Sequence, residues 1–305
     1  MNWRPTASID TLKQRATILE NIRKFFAEKS ILEVETPLLY EGAICNPYIE
    51  SFKVEERYLQ TSPEFCMKRL LAAGSGSIYQ ICKAFRKEES GRLHSTEFTL
   101  LEWYHVDFDH HDLMKEVAEL FQLILNCKSC DFMSYQTLFE TTLKINPHTA
   151  TKHTLENLAK KNNLEIALDN KDDWLNLLLT HLIEPTLAFE KPCFIYDYPA
   201  SQSALAKLSN TTPTVAERFE VYYKGIELGN GFHELNNAAE QRERFKKQLT
   251  TREANKQPLP SLDELFLESL NYLPNCAGIA VGLDRLIMLA TEIDTIEKVI
   301  SFAEK

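Results

Sequence analysis

Strand-like segments in this sequence come in consecutive pairs joined by loops, and this arrangement most restricts the possible folds. Residues 77–86 and 97–104 both have the pattern of strands, and only the polar loop 87–96 separates them. Residues 217–234 contain a second pair, with Lys224 and Gly225 as a two-residue turn. Strands joined without an intervening helix pair antiparallel, since a parallel pair needs a long crossover. We therefore predict an α+β fold with an antiparallel sheet flanked by helices, rather than a doubly wound α/β fold.

The N-terminal segment has the spacing of a helix. Apolar residues recur every three or four positions over residues 8–29, which predicts an amphipathic helix. Residues 31–37 alternate like a strand and end at a proline, which cannot donate to a strand ladder. A further strand is predicted at residues 58–60.

A second helix follows, and its start carries three characteristic residues. Ser62 is the predicted N-cap, Pro63 the first helical residue and Glu64 an acid in the first turn. The remaining predicted elements are a helix at 112–127, several helices within 154–189, a helix at 238–255, a Pro-punctuated link and helix at 258–270, a strand at 191–198, and a strand-to-helix segment at 277–289. We find no linker that would divide the chain, so we predict a single domain over residues 1–305.

The composition is typical of a protein that folds in water without disulfide bonds. The chain has 305 residues, 44% apolar and 26% charged, which suffices to bury a core. Its seven cysteines are odd in number and scattered, so we expect free thiols. No secretory signal or membrane span is recognisable, and we expect a cytoplasmic location. The net charge of −10 argues against extensive nucleic-acid binding, which usually needs a basic surface.

One face of the strand at 97–104 combines a carboxylate with aromatic side chains. Because alternate residues of a strand share a face, Phe98, Glu102 and Tyr104 point to the same side. A carboxylate between aromatic groups is costly unless a cation meets it, which suggests a cationic ligand. The alternative is a buried acid that is satisfied within the core, and the sequence leaves both possibilities open.

Two carboxylates are predicted to converge in the second hairpin. If Lys224 and Gly225 form the turn, Tyr222 lies opposite Glu227, and Glu220 is diagonal to Glu227 on the same face. Two neighbouring acids favour a hard cation such as Mg²⁺ that bridges to phosphates. The alternative, which the spacing alone favours, is a strand face on which both acids lie in water.

Two further segments contain candidate ligand-binding residues. Glycines flank Asn230, so the backbone there can approach a ligand closely, and Glu234 adds an acid nearby. Residues 278–289 have the pattern of a buried strand that turns into a helix at Gly282. Near the start of that helix, Arg285 is a candidate clamp for a phosphate or oxyanion, the alternative being an ordinary surface pair with Asp284.

Taken together, these segments resemble the motifs of class II aminoacyl-tRNA synthetases. Residues 30–37 are similar to motif 1, residues 86–104 to motif 2 and residues 278–289 to motif 3. Residues 61–64 and 227–235 look like the lysyl branch of the family. The motifs occur in the family's order along nearly the whole chain.

The resemblance implies an ATP site that includes magnesium. Arg86 would hold the α-phosphate and Arg285 the γ-phosphate, and these two are the implied catalytic residues. Phe98 would stack on the adenine, with Glu88 in the adenine region. The implied Mg²⁺ ligands are Glu220 and Glu227, and the other implied ATP contacts are Lys87, Ser95, Glu227, Leu228 and Gly282.

The resemblance also implies a pocket for a diamino acid, whose two ammonium groups account for the surplus of acids. Its implied lining residues are Ser62, Pro63, Glu64, Glu102, Tyr104, Asn230, Phe232 and Glu234. The sequence departs from the family in motif 2. The usual Arg-Asn-Glu is Arg-Lys-Glu at 86–88, and the usual His-Asn-Pro-Glu is His-Ser-Thr-Glu at 94–97. Ala280 stands where lysyl-tRNA synthetases usually have glycine.

The N-terminus and the acidic charge distinguish the chain from lysyl-tRNA synthetases. Those enzymes carry an N-terminal OB-fold for the anticodon, whereas the first predicted helix here begins at residue 8, so we expect no such domain. The chain is similar to truncated members of the family that attach (R)-β-lysine to a lysine of translation elongation factor P. The implied activity is an AMP-forming ligation of (R)-β-lysine or lysine through an aminoacyl-adenylate, without tRNA. Motif 1 implies a homodimer.

Two other functions stay open at this point. One is a lysine–tRNA or free amino-acid ligase, against which the absent OB-fold and the net charge of −10 argue. The other is a non-catalytic synthetase-like module that binds partners or senses an amino acid. Retention of Arg86, Glu220, Glu227 and Arg285 argues against the inactive module.

Overall fold

Nine α-helices and eleven strands occur in the residues that the computed structural model describes, 3–87 and 91–303. The helices are α1 (Ile9–Glu28), α2 (Glu64–Ala72), α3 (His110–Leu125), α4 (Tyr135–Leu143), α5 (Lys152–Lys161), α6 (Lys171–Leu178), α7 (Ala238–Ala254), α8 (Glu264–Ser269) and α9 (Leu283–Ala290). The strands are β1 (Leu32–Glu33), β2 (Leu39–Tyr40), β3 (Lys53–Val54), β4 (Arg57–Leu59), β5 (Ile78–Phe85), β6 (Glu97–Val106), β7 (Asp131–Ser134), β8 (Cys193–Pro199), β9 (Val215–Tyr223), β10 (Ile226–His233) and β11 (Cys276–Gly282). These elements belong to two compact units. The first comprises Met1–Asn126 and Glu234–Lys305, and the second comprises Cys127–His233.

The first unit contains a sheet in the order β1-β5-β6-β11. β1 pairs parallel with β5, whereas β5–β6 and β6–β11 are antiparallel. Ile78 lies opposite Tyr104 and Phe85 opposite Glu97, which confirms the predicted hairpin of residues 77–86 and 97–104. A second, small sheet in the order β2-β4-β3 lies in the same unit.

The N-terminal helix α1 packs through aromatic contacts. The Ser8 side chain accepts a hydrogen bond from the Thr11 backbone N–H and so caps the helix, as the pattern over residues 8–29 predicts. Phe26 is fully buried, stacks on Tyr79 with ring centroids 4.2 Å apart, and meets the edge of Trp103 at 5.3 Å. These contacts hold α1 against β5 and β6.

Two local predictions near the N-terminus need correction. The predicted strand over residues 31–37 reduces to β1, because only Leu32 and Glu33 pair with β5 before the chain reaches Pro37, which has no N–H to donate. The N-cap of α2 is Pro63 rather than Ser62. The Ser62 hydroxyl still accepts a hydrogen bond from the Glu64 N–H, at 3.1 Å, so it caps from one position earlier.

The second unit contains a sheet in the order β10-β9-β8-β7, in which only the β7–β8 pair is parallel. Tyr223 lies opposite Ile226, so Lys224 and Gly225 form the predicted two-residue turn. Both turn residues have positive φ, 51° and 72°, as a type I′ turn requires. α4 packs against β8, around a core that includes Tyr135, Trp174 and Phe139.

All seven cysteines are free thiols, as the composition predicts. Burial raises the pKa of the Cys45 thiol to about 11, so this group stays protonated at neutral pH. Among the helices of the described residues, none combines the length and the apolar character that a bilayer-crossing segment needs.

A buried arginine of α7 anchors two loops of the first unit. Arg252 is 3% exposed, and its guanidinium donates to the carbonyl oxygens of Cys45 (3.1 Å), Asn46 (2.8 Å), Ile49 (2.6 Å) and Pro258 (3.0 Å). Each carbonyl would otherwise lose a hydrogen bond on burial. The guanidinium therefore supplies the hydrogen bonds of loop carbonyl groups that have no partner strand or helix.

Arg252→Met should destabilise the fold by on the order of 3 kcal/mol, because it leaves buried carbonyls unsatisfied. Urea denaturation monitored by circular dichroism measures the effect. Arg242→Met is the matched control on the same helix, because Arg242 pairs with Glu264 at the surface. The control should leave the unfolding midpoint nearly unchanged. Equal midpoints for the two variants would contradict the anchoring role.

Candidate active site

Glu102 of β6 is a carboxylate enclosed in the first unit. It is 1% exposed. The Tyr104 hydroxyl donates to its Oε1 at 2.7 Å, and the Ser62 hydroxyl donates to its Oε2 at 2.7 Å. The predicted shared face of Glu102 and Tyr104 is therefore confirmed. Both donors are neutral, so they satisfy the oxygens without neutralising the charge.

Lys68 links the two other acids of this region, and the sequence analysis did not identify it. Its Nζ lies 2.6 Å from Glu64 Oε1 and 2.6 Å from Glu234 Oε2. The Lys68 side chain is 0% exposed, and that of Glu234 is 1% exposed. The one available signal was the spacing of four residues between Glu64 and Lys68, which places both on one face of α2.

A glycine of β11 allows this cluster to form. Gly278 lies opposite Tyr104, and a Cβ at this position would come within 2.3 Å of the Tyr104 ring and 2.8 Å of Glu234 Oε1. Any larger residue would displace one of the two. Two positions further on, Ala280 lies opposite Glu102.

The cluster shifts the pKa values of its members. Burial raises the pKa of Glu102 to about 7, and the Glu64 charge adds to this shift. Burial also raises the pKa of Glu234 to about 8, although Lys68 opposes the shift. For Lys68, burial alone would lower the pKa, but the Glu234 and Glu64 carboxylates outweigh it and raise the pKa.

A pocket lined by Ser62, Pro63 and Glu64, among others, adjoins these residues. Burial makes the carboxyls of the cluster bind protons more tightly than they would in water. A ligand that brings positive charge would therefore stabilise their ionised forms. The geometry of the first unit thus suits a ligand with ammonium groups.

Arg86 and Phe98 are brought together at the end of the β5–β6 hairpin. The Arg86 guanidinium carbon lies 5.1 Å from the centroid of the Phe98 ring, a cation–π contact. The Arg86 N–H donates to the Thr96 carbonyl at 3.0 Å, which closes the base of the loop. A planar cation on an aromatic ring is suited to a ligand that combines phosphate with a flat base.

Arg285 lies at the start of α9, for which Gly282 is the N-cap. Its Nε donates to the Leu93 carbonyl at 3.1 Å, and its Nη2 is 2.6 Å from His94 Nε2. Asp284 does not form the surface pair considered as an alternative, because it is 1% exposed and lies 2.6 Å from Arg15 Nη1.

The other predicted residues of the motif 2 loop have local partners or are not described. Lys87 Nζ donates to a Glu50 carboxylate oxygen at 2.8 Å. Ser95 lines a small cavity with His94 and Thr96. Glu88 lies outside the described residues.

In the second unit, Tyr222 lies opposite Glu227, as predicted. A bulge between Glu227 and Gly229 shifts the register by one residue. Glu220 therefore lies opposite Asn230, whereas a regular ladder would place it opposite Gly229. Glu220 is 7% exposed, so the alternative of a solvated strand face is wrong for this residue.

Three donors hold the Glu220 carboxylate. The hydroxyls of Tyr198 and Tyr222 each donate to Oε2 at 2.6 Å, and Arg218 donates to Oε1. A carboxylate oxygen has two lone pairs, so Oε1 retains one acceptor position. Glu227 is half-buried, and its charge acts on both Arg218 and Tyr222. The oxygen donor set fits Mg²⁺, which prefers carboxylate ligands.

The remaining predicted residues of this unit are on β10. Asn230 Oδ1 accepts a hydrogen bond from Arg218 Nε at 3.2 Å. Phe232 lies opposite Arg218 and is half-buried. Leu228 is 1% exposed, so its side chain packs in the core, and only its backbone is available to a ligand.

Comparison with known proteins relates the whole chain to one family. A family model described as tRNA synthetases class II (D, K and N) matches residues 1–305. The chain is 49% identical to the elongation factor P--(R)-beta-lysine ligase of Vibrio cholerae, covering 99% of this chain and 97% of that protein. The ligase of the same name from Photobacterium profundum is 48% identical, covering 98% and 97%. That of Haemophilus ducreyi is 45% identical, covering 99% and 96%.

Glu102→Gln should change the pH dependence of stability. A carboxyl whose pKa rises from 4.5 to about 7 on folding stabilises the fold fully below pH 4.5, and this contribution is lost as the pH rises towards 7. Glutamine does not ionise, so the unfolding free energy of the variant relative to the wild type should increase by roughly 2.5 kcal/mol between pH 5 and pH 8.

Urea denaturation of both proteins at pH 5, 6, 7 and 8 measures this difference. Glu119→Gln serves as the control because this side chain is 60% exposed, and it should show no such trend. A constant offset between Glu102→Gln and the wild type across the range would contradict the burial effect.

Proposed function

The chain belongs to the family of class II tRNA synthetases (D, K and N), and we propose that it is an ATP-dependent ligase for elongation factor P. It would activate (R)-β-lysine as an aminoacyl-adenylate and transfer it to the ε-amine of a lysine of that factor. The observation that carries this proposal is the identity of 45–49% along nearly the full length to proteins named for this activity. The acidic cluster around Lys68 supports it independently.

The cluster suits the amino-acid substrate. A diamino acid presents two ammonium groups, and Glu64, Glu102 and Glu234 present three carboxylates around one lysine. Ser62 and Tyr104 would keep Glu102 in place for an ammonium group. Pro63 would add to the lining, and the family resemblance implies Asn230 and Phe232 as further substrate-binding residues.

The arginines suit the nucleotide. Arg86 would bind the α-phosphate while Phe98 stacks on the adenine, and Arg285 would bind the γ-phosphate. Lys87, Glu88, Ser95, Leu228 and Gly282 are the further proposed ATP contacts. Glu220 and Glu227 would hold Mg²⁺, which supplies positive charge to the phosphates.

The reaction needs no general base in its first step. The substrate carboxylate is ionised at pH 7 and attacks the α-phosphorus of ATP, after which pyrophosphate leaves. Arg86 and Arg285 would stabilise the negative charge that develops on the phosphates. The ε-amine of the acceptor lysine then attacks the adenylate carbonyl and releases AMP. This amine must first lose a proton, because its ordinary pKa is about 10.4.

Several further features are proposed from the family resemblance. The motif 1-like segment at 30–37 would form a homodimer, which a size measurement at micromolar concentration tests. We also propose a cytoplasmic location, a single catalytic domain over residues 1–305, and no tRNA as substrate.

The proposed acceptor is tested by a competition between two candidates. The protein is incubated with ATP, Mg²⁺ and labelled (R)-β-lysine, with elongation factor P and tRNA both present. Intact mass spectrometry of the factor and acid-precipitable label on tRNA are the measurements. We expect a gain of one β-lysyl group on the factor and no label on tRNA. Label on tRNA would favour a synthetase, and no adenylate at all would favour a non-catalytic module.

Glu234→Ala should abolish activation of the diamino acid while ATP still binds. The loss should be about 1,000-fold, because it removes one partner of a buried charged group. Pyrophosphate exchange measures activation, and calorimetry with a non-hydrolysable ATP analogue measures nucleotide binding. Glu20→Ala is the control, since Glu20 also pairs with a lysine but is 63% exposed. Unchanged activation in Glu234→Ala would remove this residue from the pocket.

A further inference from the structure

Lys68 carries an ammonium group that the protein encloses completely. Its side chain is 0% exposed, and Nζ lies 2.6 Å from one oxygen of Glu64 and 2.6 Å from one oxygen of Glu234. A lysine is almost never fully buried unless it is paired, because the charge loses its water. Two carboxylates replace that water here. The ammonium group therefore fixes the positions of both.

The charges of this cluster do not balance. Glu102 belongs to it through Ser62, whose hydroxyl donates to Glu102 and accepts from the backbone N–H of Glu64. When all three carboxylates are ionised, as a cationic ligand would favour, one ammonium group leaves two negative charges in a region that is largely out of water. A buried ion pair that served the fold alone would be neutral, since unpaired buried charge is destabilising.

We propose that Lys68 is a positioning residue that determines substrate specificity. Its fixed ammonium group orients Glu64 and Glu234, and it reduces the charge of the ionised pocket from three negative charges to two. A ligand with two ammonium groups would neutralise these two charges. This inference rests on the proposed activation of a diamino acid. Without Lys68, two ligand ammonium groups would face three carboxylates, and one carboxylate would stay unpaired.

The electrostatics of the cluster agree with this role. Burial raises the pKa of Glu102 to about 7 and that of Glu234 to about 8, although Lys68 is next to Glu234. With no ligand bound, both carboxyls therefore hold a proton more tightly than they would in water, and ligand ammonium groups would stabilise their ionised forms in place of those protons. A ligand with one ammonium group would leave one charge uncompensated, which gives a physical basis for preferring a diamine over a monoamine.

Two variants of Lys68 separate its charge from its packing. Lys68→Met keeps an unbranched chain of similar volume without the charge, and Lys68→Arg keeps the charge in a bulkier group. We expect Lys68→Met to raise the KM for (R)-β-lysine in pyrophosphate exchange about 100-fold, with the KM for ATP within about twofold of the wild type. Lys68→Arg should retain most of the affinity.

Lys24→Met is the matched control. Lys24 also follows its partner Glu20 by four residues, with Nζ 2.6 Å from the carboxylate, but both side chains are 63% exposed. It should change neither KM. If Lys68→Met lowers the melting temperature but leaves the KM for (R)-β-lysine unchanged well below that temperature, Lys68 serves only the fold and the inference is wrong. An equal loss in Lys68→Arg and Lys68→Met would also overturn it.

A second measurement covers the case in which Lys68→Met does not fold. Calorimetry compares 1,5-diaminopentane with pentylamine, which has the same chain but one ammonium group. The wild type and Lys68→Arg should bind the diamine about 30-fold more tightly or better. Equal affinities of the wild type for 1,5-diaminopentane and pentylamine would contradict the proposed two negative charges of the pocket.

The same titration distinguishes this inference from the proposed function. If the wild type does not activate (R)-β-lysine, the proposed function fails on that result alone. The inference is then decided by the wild-type preference for 1,5-diaminopentane over pentylamine, which supports it when present and overturns it when absent.

Discussion

The ion pairs of Lys68 with Glu64 and Glu234 are the interaction on which the candidate amino-acid pocket depends. They connect helix α2 to the segment that follows β10, and the Glu234 N–H also donates to the Cys276 carbonyl at 3.0 Å. A buried charge tolerates little displacement of its partners, because the interior offers no water to replace them. The cluster therefore fixes the geometry of the acids before a ligand arrives.

The first unit places the acids of the Lys68 cluster and the two candidate phosphate-binding arginines on different elements. Carboxylates occur on α2, on β6 and after β10, whereas Arg86 follows β5 and Arg285 lies in the first turn of α9. Local packing holds both arginines, through Phe98 in one case and the Leu93 carbonyl in the other. Such fixed charges stabilise a charged transition state without the reorganisation that water would need.

Much of the fold was predictable from local rules. The β9–β10 hairpin followed from Lys224-Gly225, a turn that demands positive φ, and it placed Tyr222 opposite Glu227. The burial of Glu220 was not predictable, because it depends on Tyr198 of β8, whose hydroxyl only strand pairing brings to the oxygen that also accepts from Tyr222. The bulge after Glu227 also left no signal, since a one-residue insertion does not disturb the apolar pattern visibly.

The sequence by itself determined the two hairpins, helix α1 and the shared face of Glu102 and Tyr104, because these follow from backbone geometry and periodicity. Only the tertiary structure decided the role of Lys68. Four residues after Glu64, a lysine has the spacing of an ordinary surface ion pair. In the folded protein, Glu234 also pairs with Lys68, although it is distant in the chain, and the Lys68 ammonium group is fully buried. Because Gly278 has no side chain, Glu234 and Tyr104 have the space to come close to it.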